Sequence, residues 1–169
     1  DVLPCSGGYP QWHLQQDVTP LLKDQWDMII AFPPCTYLTK TSAPSLRPKG
    51  VLNTERYLKG LEAKKFFMMF YNHKCDKVVI ENPTPLKCYE LPPPSQVIQP
   101  WQFGHPYQKR TLLWLKGVPP LEPTRIMDVR ESTVTAKWYN TDIKNRSINR
   151  SKTFQGVAEA MAAQWSVLF

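Results

Sequence analysis

No hydrophobic run in this 169-residue chain approaches the roughly 18 residues that a membrane-spanning helix needs, so no span is expected. No two of the four cysteines stand at Cys-x-x-Cys spacing, which argues against a zinc site even with His13 and His73 present. No metal is expected, and thiols kept reduced fit a cytoplasmic setting. No signal-peptide pattern opens the chain, while Asp1 is not a translation start, so residues upstream of it are expected. Internal repeats and low-complexity tracts are missing too. Long uninterrupted helices must be few, because 17 prolines punctuate the chain.

What is present fits one domain, residues 1–169, around one core. Lysine and arginine number 21 against 14 acids, a net charge of +7. That surplus favours phosphate-rich or otherwise acidic partners, or simply keeps a solvated surface soluble.

"WDMIIAF" (26–32) reads as a central strand, a short continuous apolar run with β-branched residues. "KVVIEN" (77–82) repeats that signature. Between them, Thr54 can cap a helix running from Glu55 to about Asn72. Tyr57, Leu58 and Leu61 share one of its faces, and "FFMMF" (66–70) makes the later turns largely buried. Strand, helix and strand at this spacing form a βαβ unit, which implies a parallel sheet with a right-handed crossover. "SQVIQP" (95–100) and "TLLWLKG" (111–117) are further strand candidates. From Val118 to Lys152 the periodicity fails. A last helix from about Gly156 to Val167 carries Val157, Met161, Trp165 and Leu168 at helical spacing, a core stripe. The fold class expected is α/β.

In open parallel sheets, ligands bind beyond the carboxyl ends of the strands. Cys35 follows one such end, in "IIAFPPCTYL", where Pro33 has no N–H to continue a ladder. Glu81 terminates the neighbouring candidate, so thiol and acid share a rim. Taken singly, Cys35 reads as a small buried filler and Glu81 as a capping acid. Taken together they suit attack on C6 of a cytosine ring whose N3 is protonated, which turns C5 into a carbon nucleophile able to accept a methyl group from a sulfonium.

"AFPPCTYL" resembles the catalytic Pro-Cys loop of the C5-cytosine DNA methyltransferases, and "VVIENP" resembles their Glu-Asn loop. "QFGHPYQKRT" is similar to their Gly-x-Pro-Gln-x-Arg segment, and the three stand in the family's order and spacing. The likeness covers nearly the whole chain and is nearest to the small methyltransferase-like proteins of bacteriophages and prophages. It implies a Rossmann-like, three-layer methyltransferase sheet, S-adenosylmethionine as cofactor, double-stranded DNA with a flipped cytosine as substrate, and the cytoplasm of a bacterial host. Carried over position by position, Cys35 is the nucleophile, Glu81 the N3 proton donor and Arg110 a base or phosphate contact. "QQDV" resembles the strand end whose acid contacts the cofactor's adenine, which points to Asp17. Phe32 and Pro33 fall on the cofactor side, Pro34 and Gln108 on the substrate side. The chain departs from the larger enzymes in having Leu112 where a second arginine is usual, and Pro83 where valine is common.

The family's first strand and Gly-rich loop should precede all of this. A βαβ unit takes roughly 30 residues or more, yet Cys35 arrives only about 25 residues after Gly8. Asp1 is therefore expected to be the acid ending the second strand, on the ribose hydroxyls, with the first strand and its loop outside this sequence. Residues 118–152 form a short insert and candidate minimal target-recognition region. Within it, "KNRSINRSK" (144–152) holds Lys144, Arg146, Arg150 and Lys152 with no acid, which suits phosphate contacts or a solvated loop. Trp138 and Tyr139 suit either a wedge into the duplex or packing. Two alternatives to DNA methylation stay open: a non-catalytic DNA- or nucleotide-binding phage counter-defence protein on the same scaffold, and the same chemistry on a free nucleotide.

Overall fold

In the computed structural model, which describes residues 1–132 and 152–169, the two apolar runs form a parallel pair. Strand β1 (Ile29–Ala31) ends just before Phe32 and Pro33. After a short helical turn α1 (Ala43–Leu46), helix α2 (Thr54–Tyr71) crosses over to strand β2 (Val78–Asn82). Ile29 pairs with Val78 and Ala31 with Ile80. The cap of α2 lies one residue earlier than expected. Asn53, in extended conformation, accepts the Arg56 N–H on its side chain at 2.9 Å, so Thr54 is already helical.

Strand β3 (Gln96–Ile98), the short β4 (Tyr107–Gln108) and β5 (Thr111–Lys116) follow. The sheet order is β1-β2-β5-β3, and β5 runs antiparallel to both β2 and β3. The sheet is therefore mixed, not parallel throughout. The connection from β3 to β5 contains no crossover helix, and a short return of that kind brings a strand back antiparallel. A second correction concerns β1, which among the described residues is an edge strand and not a central one.

Alternation along β2 builds a layer on each face. Val78 and Ile80 pack with Phe67 and Phe70 of α2 and with Trp114 and Leu112 of β5. Val79 faces the other way, into a cluster with Ile98, Leu113 and helix α3 (Gln155–Trp165), which contributes Val157, Ala160, Met161 and Trp165. The stripe expected on this helix is that buried face, with Leu168 half-buried beyond it. Each fully buried side chain of this size contributes roughly 1.5–3 kcal/mol of transfer free energy. On α2, Leu58 departs from the expected face: it is 55% exposed, while Tyr57 and Leu61 pack against the core. Gly60 is required there, because a Cβ would overlap the ring of Tyr89.

Part of the 118–152 insert is anchored. Leu121 is buried, and the Gln96 side chain bonds both its N–H and its carbonyl at 2.8 Å. Further along, backbone bonds tie Thr124, Arg125 and Met127 to residues 101–102, and strand β6 (Glu131–Ser132) pairs with β4.

Candidate functional site

Because β1 and β2 are parallel, their carboxyl ends open on one rim, and the loop bearing Cys35 begins there. Pro33 is buried, Pro34 exposed and Cys35 half-buried. The Cys35 carbonyl accepts the N–H groups of Leu38 and Thr39 at 3.0 and 2.9 Å, which closes a tight turn. Residues 38–40 are then laced to the segment after β2: Lys40 N–H donates to Thr84 at 2.8 Å and Leu86 N–H to Leu38 at 2.7 Å. Asn82, fully buried, donates from Nδ2 to the Pro33 carbonyl at 2.9 Å. Arg56 reaches from α2 to the Thr36 carbonyl at 3.2 Å, its guanidinium 5.0 Å from the Tyr37 ring centre. The thiol is thus carried on a loop held from both neighbouring elements.

Glu81 sits one residue short of the end of β2 and shares the face of Val79, toward α3. It borders a small, partly open cavity of about 20 Å³ with Lys109, Thr111, Phe154 and Met161 in the wall. That volume holds about one water molecule and no pyrimidine, so meeting a base requires the wall to open. Burial pushes the Glu81 carboxyl above the usual carboxylate range, and the neighbouring Lys109 partly offsets this. Cys35 lies in the lining neither of this cavity nor of the next.

The expected cofactor residues come together. Asp1, Asp17, Phe32 and Pro33 border one cavity of about 630 Å³, with all of β1 along one side and Phe66 and Phe70 of α2 below; Pro34, expected on the substrate side, borders it too. That size falls within the range of small-molecule sites. Asp1 and Asp17 are neighbours because the Asp1 carbonyl accepts Gln16 N–H at 3.0 Å. Each carboxylate keeps one oxygen on a local backbone N–H: Asp1 on Leu3 at 3.0 Å, Asp17 on Thr19 at 2.7 Å. The Thr19 bonds hold Asp17 below the usual carboxylate range, so it is anionic at neutral pH. Ile29 N–H bonds to Lys77 across the β1–β2 ladder, which turns the backbone groups of Ile30 outward, toward the cavity.

Other expectations are not brought to the rim in the same way. Gln108 and Arg110 are exposed, and Lys109 between them is the residue that faces Glu81. Lys144, Arg146 and Arg150, with Trp138 and Tyr139, lie outside the described residues. Among the described residues no cluster of His, Cys, Asp and Glu could hold a metal ion, and no helix is long and apolar enough to cross a membrane. Two residues with no role expected from the sequence stand here. Asn82 was hidden beside Glu81, though alternation along a strand sends neighbours to different partners; Lys109 was masked by the more familiar Arg110.

No protein-family model, curated protein or solved structure matches this chain.

Proposed function

We propose that this protein transfers a methyl group from S-adenosylmethionine to C5 of cytosine in DNA, on a Rossmann-like methyltransferase scaffold of the kind bacteriophages carry. The observation that carries this reading is the rim: a thiol on a braced loop follows β1, and near the end of the adjacent parallel strand β2 stands a half-buried carboxyl that burial holds above the usual carboxylate range. Beside β1 and the start of the Cys35 loop opens a cavity of ligand size, with apolar walls for a ring and two carboxylates for hydroxyl or amine donors. The β1–α2–β2 crossover and the helix on each face of the sheet support the scaffold assignment.

Cys35, as thiolate, forms a bond from Sγ to C6 of the flipped base. The Glu81 proton passes to N3, and C5 becomes the nucleophilic carbon of an enamine. When bound, S-adenosylmethionine supplies the methyl group on a sulfonium centre, with a thioether as leaving group. A base then takes the C5 proton, the C6–Sγ bond breaks, and the N3 proton returns to Glu81. Asp17 and Asp1 hold the cofactor's polar groups, while Phe32 and Pro33 close its apolar side. Arg110 and Gln108, exposed on the segment entering β5, are available to the DNA backbone.

The test is covalent trapping. DNA containing 5-fluorocytosine, mixed with the protein and S-adenosylmethionine, is expected to give a denaturation-resistant adduct, and Cys35→Ser to give none. An adduct that persists in Cys35→Ser and disappears on changing Cys5, Cys75 or Cys88 overturns the assignment. Binding without an adduct on DNA of varied sequence identifies instead a non-catalytic DNA-binding protein.

A further inference from the structure

One cation lines the cavity beside Glu81 among the described residues. Among the described residues in its wall, Lys109 is the only charged group other than Glu81 itself; β3, β5 and α3 add only apolar and hydroxyl-bearing side chains. Its position is set locally. Thr111 donates from Oγ1 to the Lys109 carbonyl at 3.0 Å, which fixes the bend just before β5. The Lys109 ammonium then lies over the Phe154 ring, 5.8 Å from its centre. Phe154 belongs to the same wall, so the cation is seated at the cavity's boundary and not in bulk solvent.

We propose that Lys109, and not the neighbouring Arg110, is the positioning residue for Glu81, and that it stabilises the carboxylate left when Glu81 gives up its proton. The proposal rests on the proton-donor role of Glu81 described above. A carboxylate formed among the largely apolar side chains of this wall is disfavoured unless a cation stands beside it. With no cation, the carboxyl would keep its proton too firmly to donate it. With the cation in water, the carboxyl would ionise too readily and arrive already spent. Burial and Lys109 act on Glu81 in opposite directions, and burial is the larger. Burial thus favours the protonated acid, while Lys109 keeps its conjugate base accessible. In the step itself one proton moves from the Glu81 carboxyl to N3. The ammonium neither gives nor takes a proton; it turns from the Phe154 face to the new carboxylate, and back when the proton returns.

Leu112 stands where the larger enzymes usually carry a second arginine. Leu112 is buried on the α2 side of the sheet, in the cluster of Val78 and Ile80, and cannot serve Glu81 on the other face. Lys109 supplies a cation on the correct face from three residues earlier in the chain.

The experiment is an infrared titration of the Glu81 carboxyl in the full chain, with Glu81→Gln as the blank, alongside the pH profile of methyl transfer. Lys109→Met should raise the Glu81 midpoint by about one pH unit or more, the usual effect of losing an adjacent opposite charge. The alkaline limb of the methyl-transfer profile should move up with it. Lys109→Arg should leave both near wild type, and Arg110→Met should not move the midpoint. If Lys109→Met does not fold, Lys109→Gln provides the same comparison. An unchanged midpoint in the neutral variant, or a shift produced equally by Lys109→Arg or by Arg110→Met, overturns the proposal. A shifted midpoint in a protein that methylates no DNA leaves the Lys109–Glu81 pair standing and removes the methyl-transfer reading alone.

Discussion

Strands β1 and β2 carry similar apolar runs and occupy opposite environments. On β2, Val79 is 0% exposed between two hydrophobic layers; on β1, Ile30 is 40% exposed at the sheet edge. The spaces they border differ accordingly, about 630 Å³ beside β1 against about 20 Å³ beside the end of β2. Their acids follow suit. Asp17 is solvated and held low by backbone donors, whereas Glu81 is pushed up by burial. A wet, anionic, roomy side suits recognition of a ligand. A confined side whose acid is held above the carboxylate range by burial suits proton transfer. The same rim thus carries two acids in opposite environments, set apart by burial.

The largest expected effect divides these two acids. Glu81→Gln should lower the rate of methyl transfer by about two to four orders of magnitude, with little change in cofactor affinity. Asp17→Asn should weaken cofactor binding and leave kcat close to wild type. Steady-state kinetics with varied S-adenosylmethionine measure both. The comparison breaks if Asp17→Asn acts on kcat and Glu81→Gln on KM.

A second test sets the strands against each other. Ile80→Ala removes a side chain 1% exposed in the central strand, and about 2–5 kcal/mol of stability should be lost. Ile30→Ala, at the edge, should cost less than about 1 kcal/mol, because half-exposed methyl groups leave little new cavity. Urea denaturation distinguishes the two outcomes. Equal losses would mean that β1 is covered in solution as β2 is.

Much of this arrangement was legible in the residues themselves, and the failures have physical causes. The α2 and β2 assignments rest on long or strongly β-branched runs bounded by polar residues, and they hold to within a residue or two. The edge position of β1 was not legible, since "IIAF" carries no mark of what pairs with it. The antiparallel course of β5 could have been inferred from the missing crossover helix before it. Asp1, Asp17, Phe32 and Pro33 were read as one group and do border one cavity. Lys109 was missed because a one-residue step near a strand reverses the face, and only the fold shows which of Lys109 and Arg110 turns inward.

The smallest expected effect lies on the confined side and concerns its cover. At the first turn of α3, Gly156 donates its N–H to Nε2 of His105 at 2.9 Å, so the imidazole proton resides on Nδ1. Glu159 of α3 and Arg125 of the facing segment are the charged groups that share this space. Burial lowers the His105 pKa, and Glu159 opposes it in part. A base whose folded pKa is lowered binds fewer protons folded than unfolded. Its stabilisation is complete above the ordinary histidine value and is lost as pH falls through the lowered one. Protonation removes the acceptor and sets a cation against the positive end of the helix, so the loss should approach the roughly 1 kcal/mol of a helix cap. Glu81 has the opposite sign: its raised pKa gives stabilisation that is complete at low pH and declines as pH rises through the folded value. Urea denaturation at stepped pH should therefore show His105→Ala flattening the acid side of the stability curve and Glu81→Gln flattening the side above it. If His105→Ala retains the wild-type acid slope, the imidazole does not cap α3 in solution, and the cover over Glu81 is held by apolar packing alone.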